Sequence, residues 1–342
     1  MKDLCSPGAV SINDLESLLL DYRLCARTEG KSEETITLKT TAVGQLADFL
    51  RSQRLSTEVS QIGVQSLRKF ILYLQERKAF SNTPSAKPKN KCLSAQTIND
   101  YMRSIRAFWS WLVREEYITS NPFSKLVIPK PPRLVIKPYS EEELNALIAV
   151  IDTGTAVGFR DWAIILTFLD TGTRVSELCT LQFEDTDLTQ KLLKVRGKGS
   201  KERFLPIGLK TQRALWKYAE RYRSVPAGPQ FNNFFLTRDG TPLTRRHVGK
   251  LIKRYDEKAK LPGVNYYPHK FRHTFAINYL RNGGDVFSLQ RILGHSDLDM
   301  VRRYLNWATV DIQTAHQRCS PVDHLSLKTK GKHGQKKRKH FL

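Results

Sequence analysis

Apolar residues recur every three or four positions through most of this chain, a spacing that predicts helices. Leu15, Leu18, Leu19 and Tyr22 follow a Ser11-Ile12-Asn13 start. Val43, Leu46, Ala47 and Leu50 form a second set, and Leu67, Phe70, Ile71 and Leu74 a third. The longest stripe is Ile98, Met102, Ile105, Phe108, Trp109 and Leu112, which keeps to one face for more than four turns. Lys39, Arg51, Arg54, Arg68, Arg103 and Arg106 fall on the polar faces, either as a solvated surface or as a surface for a polyanion. Between the third and fourth stripes, residues 80–91 are rich in Ser, Pro, Lys and Asn and predict a loop.

Helical spacing stops at Ile128-Pro129-Lys130-Pro131-Pro132 and does not resume before Pro138. Repeated prolines hold the chain extended, which predicts a semi-rigid linker over residues 128–139, basic through Lys130, Arg133 and Lys137. Ser140-Glu141-Glu142-Glu143 then has the form of a capping box. Beyond it the pattern is mixed. Trp162 to Leu169 predicts a buried helix that stops at Thr171-Gly172. Leu192–Arg196 and Arg203–Ile207 alternate as strands around a Gly197-Lys198-Gly199-Ser200-Lys201 turn, which predicts a β-hairpin. Helical spacing returns over Leu243–Ile252, Phe271–Leu280 and Val286–Leu293, with Asn282-Gly283-Gly284 as a stop. The expected organisation is a helical domain over residues 1–127, the linker, a mixed domain over 140–320 and a basic tail over 321–342.

Charge narrows the function. Lys and Arg number 56 against 33 Asp and Glu, a net of +23, which favours a polyanionic partner. No apolar run approaches membrane-spanning length, and the N-terminus lacks the apolar stretch of a secretory signal. The five cysteines, Cys5, Cys25, Cys92, Cys179 and Cys319, are scattered without a Cys-x-x-Cys pair. That spread argues against a disulfide framework or structural zinc and predicts a reducing, cytoplasmic setting.

Six residues carry candidate chemistry: Arg174, Lys198, His269, Arg272, His295 and Tyr304. Phosphodiester cleavage builds negative charge on non-bridging oxygens, and arginine forks suit that need. Arg174, after Thr171-Gly172-Thr173, is placed in the first turn of a helix, where backbone N–H groups also favour a phosphate; the competing reading is an ion pair with Glu177 at i+3. His269 and Arg272 share a helix face. Lys198, between two glycines at a hairpin tip, can reach a leaving oxygen; Lys201 and Arg203 compete for that role, and a solvated turn lysine is the plain alternative. Tyr304 falls two turns into a helix that starts after His295, and as a nucleophile it needs a base or cations around its phenol. His269 and His273 have the i, i+4 spacing of a zinc pair, but Lys270 stands where a zinc protease has Glu, so no metal and no cofactor is expected.

Thr-Gly-Thr-Arg-Val-Ser-Glu-Leu, Gly-Lys-Gly-Ser-Lys-Glu-Arg, His-Lys-Phe-Arg-His-Thr-Phe-Ala and Leu-Gly-His-Ser nine residues ahead of Tyr304 resemble the tyrosine recombinase (phage integrase) family. The resemblance runs over about residues 12–320, including Asn99-Asp100-Tyr101 to Trp111 and the Asn121-Pro122 helix stop. It implies a mainly α fold with a small β-sheet or hairpin in the catalytic domain, and a two-domain C-shaped clamp on double-stranded DNA. It also implies the roles. Tyr304 attacks the scissile phosphate to leave a 3′-phosphotyrosine. Arg174, Arg272 and His295 hold the non-bridging oxygens, Lys198 protonates the 5′-oxygen, His269 accepts the tyrosine proton and His273 supports the set. A homo-tetramer on two DNA sites is implied, with the segment around Trp307 and Asp311 to Gln317 docking on a neighbour, and with room for an accessory or directionality factor. Lacking a separate arm-binding domain ahead of residue 12, the chain is similar to the Xer-like members. The basic tail, a DNA tether or a solubilising extension, lies outside the family core and favours the integrase or transposase of a mobile element; Xer-type chromosome or plasmid dimer resolution is the alternative. A type IB topoisomerase and a catalytically silent DNA-binding protein are further readings.

Overall fold

The structure, a computed structural model, describes residues 13–79, 91–132, 137–197, 201–294, 320 and 322–323. It divides into two compact units, residues 1–134 and 135–342.

Among the described residues, four α-helices build the first unit: α1 (Leu15–Thr28), α2 (Glu33–Ser52), α3 (Val64–Glu76) and α4 (Ala95–Arg114). Asp14, Ser32 and Ser94 cap the first, second and fourth by accepting from N–H groups of the opening turn. The cap of α1 is thus Asp14 rather than the Ser11-Ile12-Asn13 start; Asp14 is the first side chain before Leu15 that can turn back onto the Glu16 N–H, at 3.0 Å. All six residues of the α4 stripe are buried, and the Tyr22 ring meets Phe108 and Trp111 edge-on at 5.4 and 5.2 Å. The proline-rich stretch is anchored at both ends. Ile128 packs into the first core and the Asn99 amide donates to Pro129 O. Tyr139 packs into the second core, its N–H donating to Thr274 Oγ1 and its hydroxyl to Asn265 O.

The second unit holds α5 (Glu141–Ala149), α6 (Ala156–Thr171), α7 (Val175–Thr180), β1 (Thr186–Asp187), β2 (Leu192–Arg196), β3 (Glu202–Pro206), α8 (Leu209–Lys217), α9 (Arg245–Ala259), α10 (Pro268–Arg281) and α11 (Val286–Leu293). Ser140 and Glu143 form the capping box of α5. The strands make one antiparallel sheet in the order β1-β2-β3, with Leu193 opposite Leu205 and Val195 opposite Arg203. The short β1 extends the hairpin expected from the alternating pattern. Helix α8, which runs on into a π-turn over Tyr218–Tyr222, carries a buried face of only Thr211, Ala214 and Leu215 and escapes the apolar period. Helix α6 is the spine of this unit: it packs on α8 and α10, and Phe168 stacks on Phe271 with centroids 6.1 Å apart. Among the described residues no helix is long and apolar enough to cross a membrane.

Candidate active site

The C-terminal end of α6 sets the site. Gly172 caps the helix in the left-handed region, at φ 59°, and a methyl group there would lie 2.4 Å from the Phe275 ring and 3.0 Å from Leu293. Only glycine lets the chain turn and still pack against α10 and α11. Arg174 follows as the N-cap of α7 rather than in its first turn. Its own N–H donates to Glu177 Oε2 at 2.8 Å, so that group does not face a ligand. Its guanidinium donates to Glu177 Oε1 at 2.8 Å through Nη1 and stays partly exposed. The ion pair and the exposed cation therefore coexist.

Arg272 comes from α10 and is buried. Nη1 donates to Gly172 O at 2.7 Å and Nη2 to Leu293 O at 2.6 Å, which ties the ends of α6 and α11 to α10. One turn earlier on α10 stands His269, with His273 beside it at 4.5 Å between ring centroids. Lost solvation lowers the His269 pKa, and the positive charges of Arg272 and Arg174 lower it further, so each guanidinium lies within electrostatic reach of the imidazole. His273 is pushed down to about 4 by burial, by His269 and by Arg272. Both imidazoles are consequently neutral at pH 7. Among the described residues no group of three or more His, Cys, Asp or Glu is placed to hold a metal ion.

Glu177 joins these parts and was legible in the sequence only as an ion-pair partner of Arg174. The carboxylate is buried and accepts from the Thr173 hydroxyl, from the N–H and Nη1 of Arg174, and from Nη1 and Nη2 of Arg203, all between 2.8 and 3.1 Å. Burial pushes its pKa up, but the hydrogen bonds and charges of Arg203 and Arg174 outweigh burial and hold it at about 2. Arg203, weighed above as a competitor of Lys198, is withdrawn from that role: its guanidinium is committed to Glu177 and, through Nε, to Ile292 O at 2.7 Å. Lys201 lies exposed at the foot of the hairpin, its carbonyl accepting from the Gly197 N–H at 2.8 Å.

Of the six candidates, then, Arg174, His269 and Arg272 are brought together, while Lys198, His295 and Tyr304 lie outside the described residues. The neighbours of two of these are described. Gly197 precedes Lys198 and Gly294 precedes His295, and both lie against Arg203: a methyl group on either would come within 3.4 Å and 3.1 Å of its guanidinium. Residues 80–90 of the predicted loop, the docking segment at Trp307 and Asp311 to Gln317, and the basic tail from Ser326 onward are also outside the described residues. A partly exposed arginine, a buried arginine and neutral imidazoles within electrostatic reach suit an anionic phosphate and a proton acceptor.

Residues 138–309 match the Phage integrase family, and residues 20–128 match the Phage integrase SAM-like domain. Tyrosine recombinase XerC of Oceanobacillus iheyensis is 33% identical over 278 residues, 80% of this chain and 86% of that protein. XerC of Anoxybacillus flavithermus is 31% identical over 297 residues, 86% and 93% of the two chains. XerD of Staphylococcus haemolyticus is 32% identical over 265 residues, 75% and 90%. Among solved structures, the Tn1549 transposon integrase in complex with transposon right end DNA superposes with a TM-score of 0.67 at 21% identity, over 91% of this chain and 99% of that one. XerH bound to palindromic difH substrate does so with a TM-score of 0.66 at 19% identity, over 91% and 85%. At such identities the structural likeness speaks for the fold.

Proposed function

This chain belongs to the phage integrase family, enzymes that cut and rejoin DNA, and we propose that it is an Xer-type site-specific recombinase acting on chromosome or plasmid dimers. The mobile-element reading suggested by the basic tail gives way here. The XerC and XerD relatives match both domains at 31–33% identity, whereas the transposon integrase shares only the fold.

The convergence of Arg174, Arg272 and His269 carries the mechanism. Tyr304 Oη attacks the scissile phosphorus and forms a 3′-phosphotyrosine while the bond to the 5′-oxygen breaks. The guanidinium groups of Arg174 and Arg272, with His295, meet the charge that grows on the non-bridging oxygens. The tyrosine proton passes to His269, which is neutral and able to receive it, because burial and two arginines depress its pKa. Lys198 donates a proton to the departing 5′-oxygen, and the free 5′-hydroxyl later reverses the reaction on a new strand. The phosphotyrosine keeps the bond energy, so the steps need neither ATP nor metal. Four protomers join two DNA sites. Lys201 is a second candidate for the acid, being exposed at the same hairpin.

The test is covalent capture in EDTA on nicked suicide duplexes, one carrying the chromosomal dimer-resolution sequence and others the ends of any element that flanks the gene. The expected result is a tyrosine-linked adduct on the first duplex, absent from Tyr304→Phe, which still binds DNA. An adduct on element ends alone would restore the mobile-element reading. Binding to every duplex without an adduct would leave a DNA-binding protein.

A further inference from the structure

Arg203 links several of the described parts of the site. Its fork of fixed N–H groups meets three acceptors on two elements: both oxygens of Glu177 at the start of α7, each at 2.8 Å, and Ile292 O in the last turn of α11, at 2.7 Å. Its root on β3 pairs with Val195 on β2, and its guanidinium lies against Gly197 and Gly294. The next carbonyl along α11, Leu293 O, is held by Arg272. Two guanidinium groups thus close the C-terminal end of α11, where carbonyls are unpaired and the helix dipole favours cations.

We infer that Arg203 is a positioning residue for DNA cleavage. Through Glu177 it fixes the direction of the Arg174 guanidinium, and through Ile292 O it fixes the end of α11 that Arg272 also holds, so the two phosphate-binding arginines keep one spacing. The inference rests on the recombinase reading above. The geometry requires arginine: a lysine offers its donors from a single point and cannot span two carboxylate oxygens and a carbonyl on another helix. The plainer role, neutralising the buried Glu177 charge, would be met by any residue that keeps Glu177 satisfied.

The experiment compares single-turnover cleavage by the full chain on two suicide duplexes, one with a normal scissile phosphate and one with a methylphosphonate there. The methyl group removes a charged non-bridging oxygen and with it much of the need for aligned cations. Arg203→Lys should bind DNA like wild type and cleave the phosphate duplex about 10²-fold more slowly, the loss typical of a misplaced catalytic group. On the methylphosphonate its defect should largely vanish. A merely structural role would lower both rates alike. If Arg203→Lys does not fold, Glu177→Gln with Arg203→Gln removes both buried charges together, and the same contrast between duplexes is expected. Wild-type cleavage rates on the phosphate duplex, or equal losses on both, would overturn the positioning role. Wild-type protein that forms no adduct on any duplex would instead overturn the recombinase reading itself.

Discussion

In the first unit the described core between Leu15 and Ile128 is apolar and aromatic, and its buried polar residues, Thr40 and Ser104, only return hydrogen bonds to their own helices. In the second unit Asp161, Glu177 and Arg272 are buried as well. Each is satisfied by several partners. Asp161 accepts from Arg160, Arg254 and the Tyr255 hydroxyl, at 2.5 to 3.0 Å. Taking a charge out of water costs several kcal/mol, so such groups persist only with full partner sets. The first unit can therefore present its basic residues on an outer face over a core in which no charged side chain is buried among the described residues. The second has to fold and assemble its chemistry with the same side chains. Arg272 shows the consequence, since its fork both ties two helix ends to α10 and belongs to the candidate site.

Arg272→Ala should strike stability and cleavage together and is the largest effect expected. It leaves Gly172 O and Leu293 O without their donors, at about 1–3 kcal/mol for each unsatisfied buried group, and abolishes adduct formation. Thermal melting and covalent capture would read both; a normal melting temperature would separate the site from the core and undo the comparison. Phe108→Ala should cost about 3–5 kcal/mol in the first unit alone, read as faster amide exchange in α1 and α4 with exchange in α10 unchanged. Arg174→Ala is the converse case. Glu177 keeps Arg203, so the fold should hold, while cleavage falls about 10²–10³-fold, as for loss of one transition-state donor. In that variant the His269 pKa, followed by NMR titration, should rise, because one of the charges that depress it is gone.

Acid should separate the units more gently. The pKa values of His273 and Glu177 are lower in the folded state than in the unfolded chain, so the unfolded chain binds protons first. The stability linked to them is complete above their ordinary values. It is lost as pH falls, first from the usual histidine range toward about 4 for His273, then from the usual carboxylate range toward about 2 for Glu177. Amides of α7 and α10 should lose protection before those of α4. In the first unit Glu29 is also held low, at about 2, by Lys31 and Arg114, but it is solvent-facing, and such pairs contribute little. Simultaneous loss in both units would mean that the buried charges do not govern acid stability.

The helices of the first unit were legible because their information is local: Leu67, Phe70, Ile71 and Leu74 state one face of α3 within eight residues, and all four are buried. The hairpin was legible from alternation around glycines, and Arg174, His269 and Arg272 from residue type and short motifs. Helix α8 was missed because its buried face, Thr211, Ala214 and Leu215, holds one large apolar residue among lysines and arginines. Glu177 was visible only at i+3 from Arg174, and nothing local marks Arg203 as its partner, since the pair is separated by 26 positions and the Arg272 link to Gly172 O by 100.

By itself, then, the sequence determined the helical character of the first unit, the strand pair, the basic balance and the chemical types gathered in the second unit, because periodicity and composition are properties of short stretches. Only the tertiary structure decided that Arg174 caps α7 with its N–H turned to Glu177, that Arg272 braces helix ends while belonging to the site, and that Arg203 is withdrawn from the hairpin tip into a buried ion pair. The physical reason is that a guanidinium commits its donors to whichever acceptors packing leaves unsatisfied, and those acceptors come from helix ends far apart in the chain.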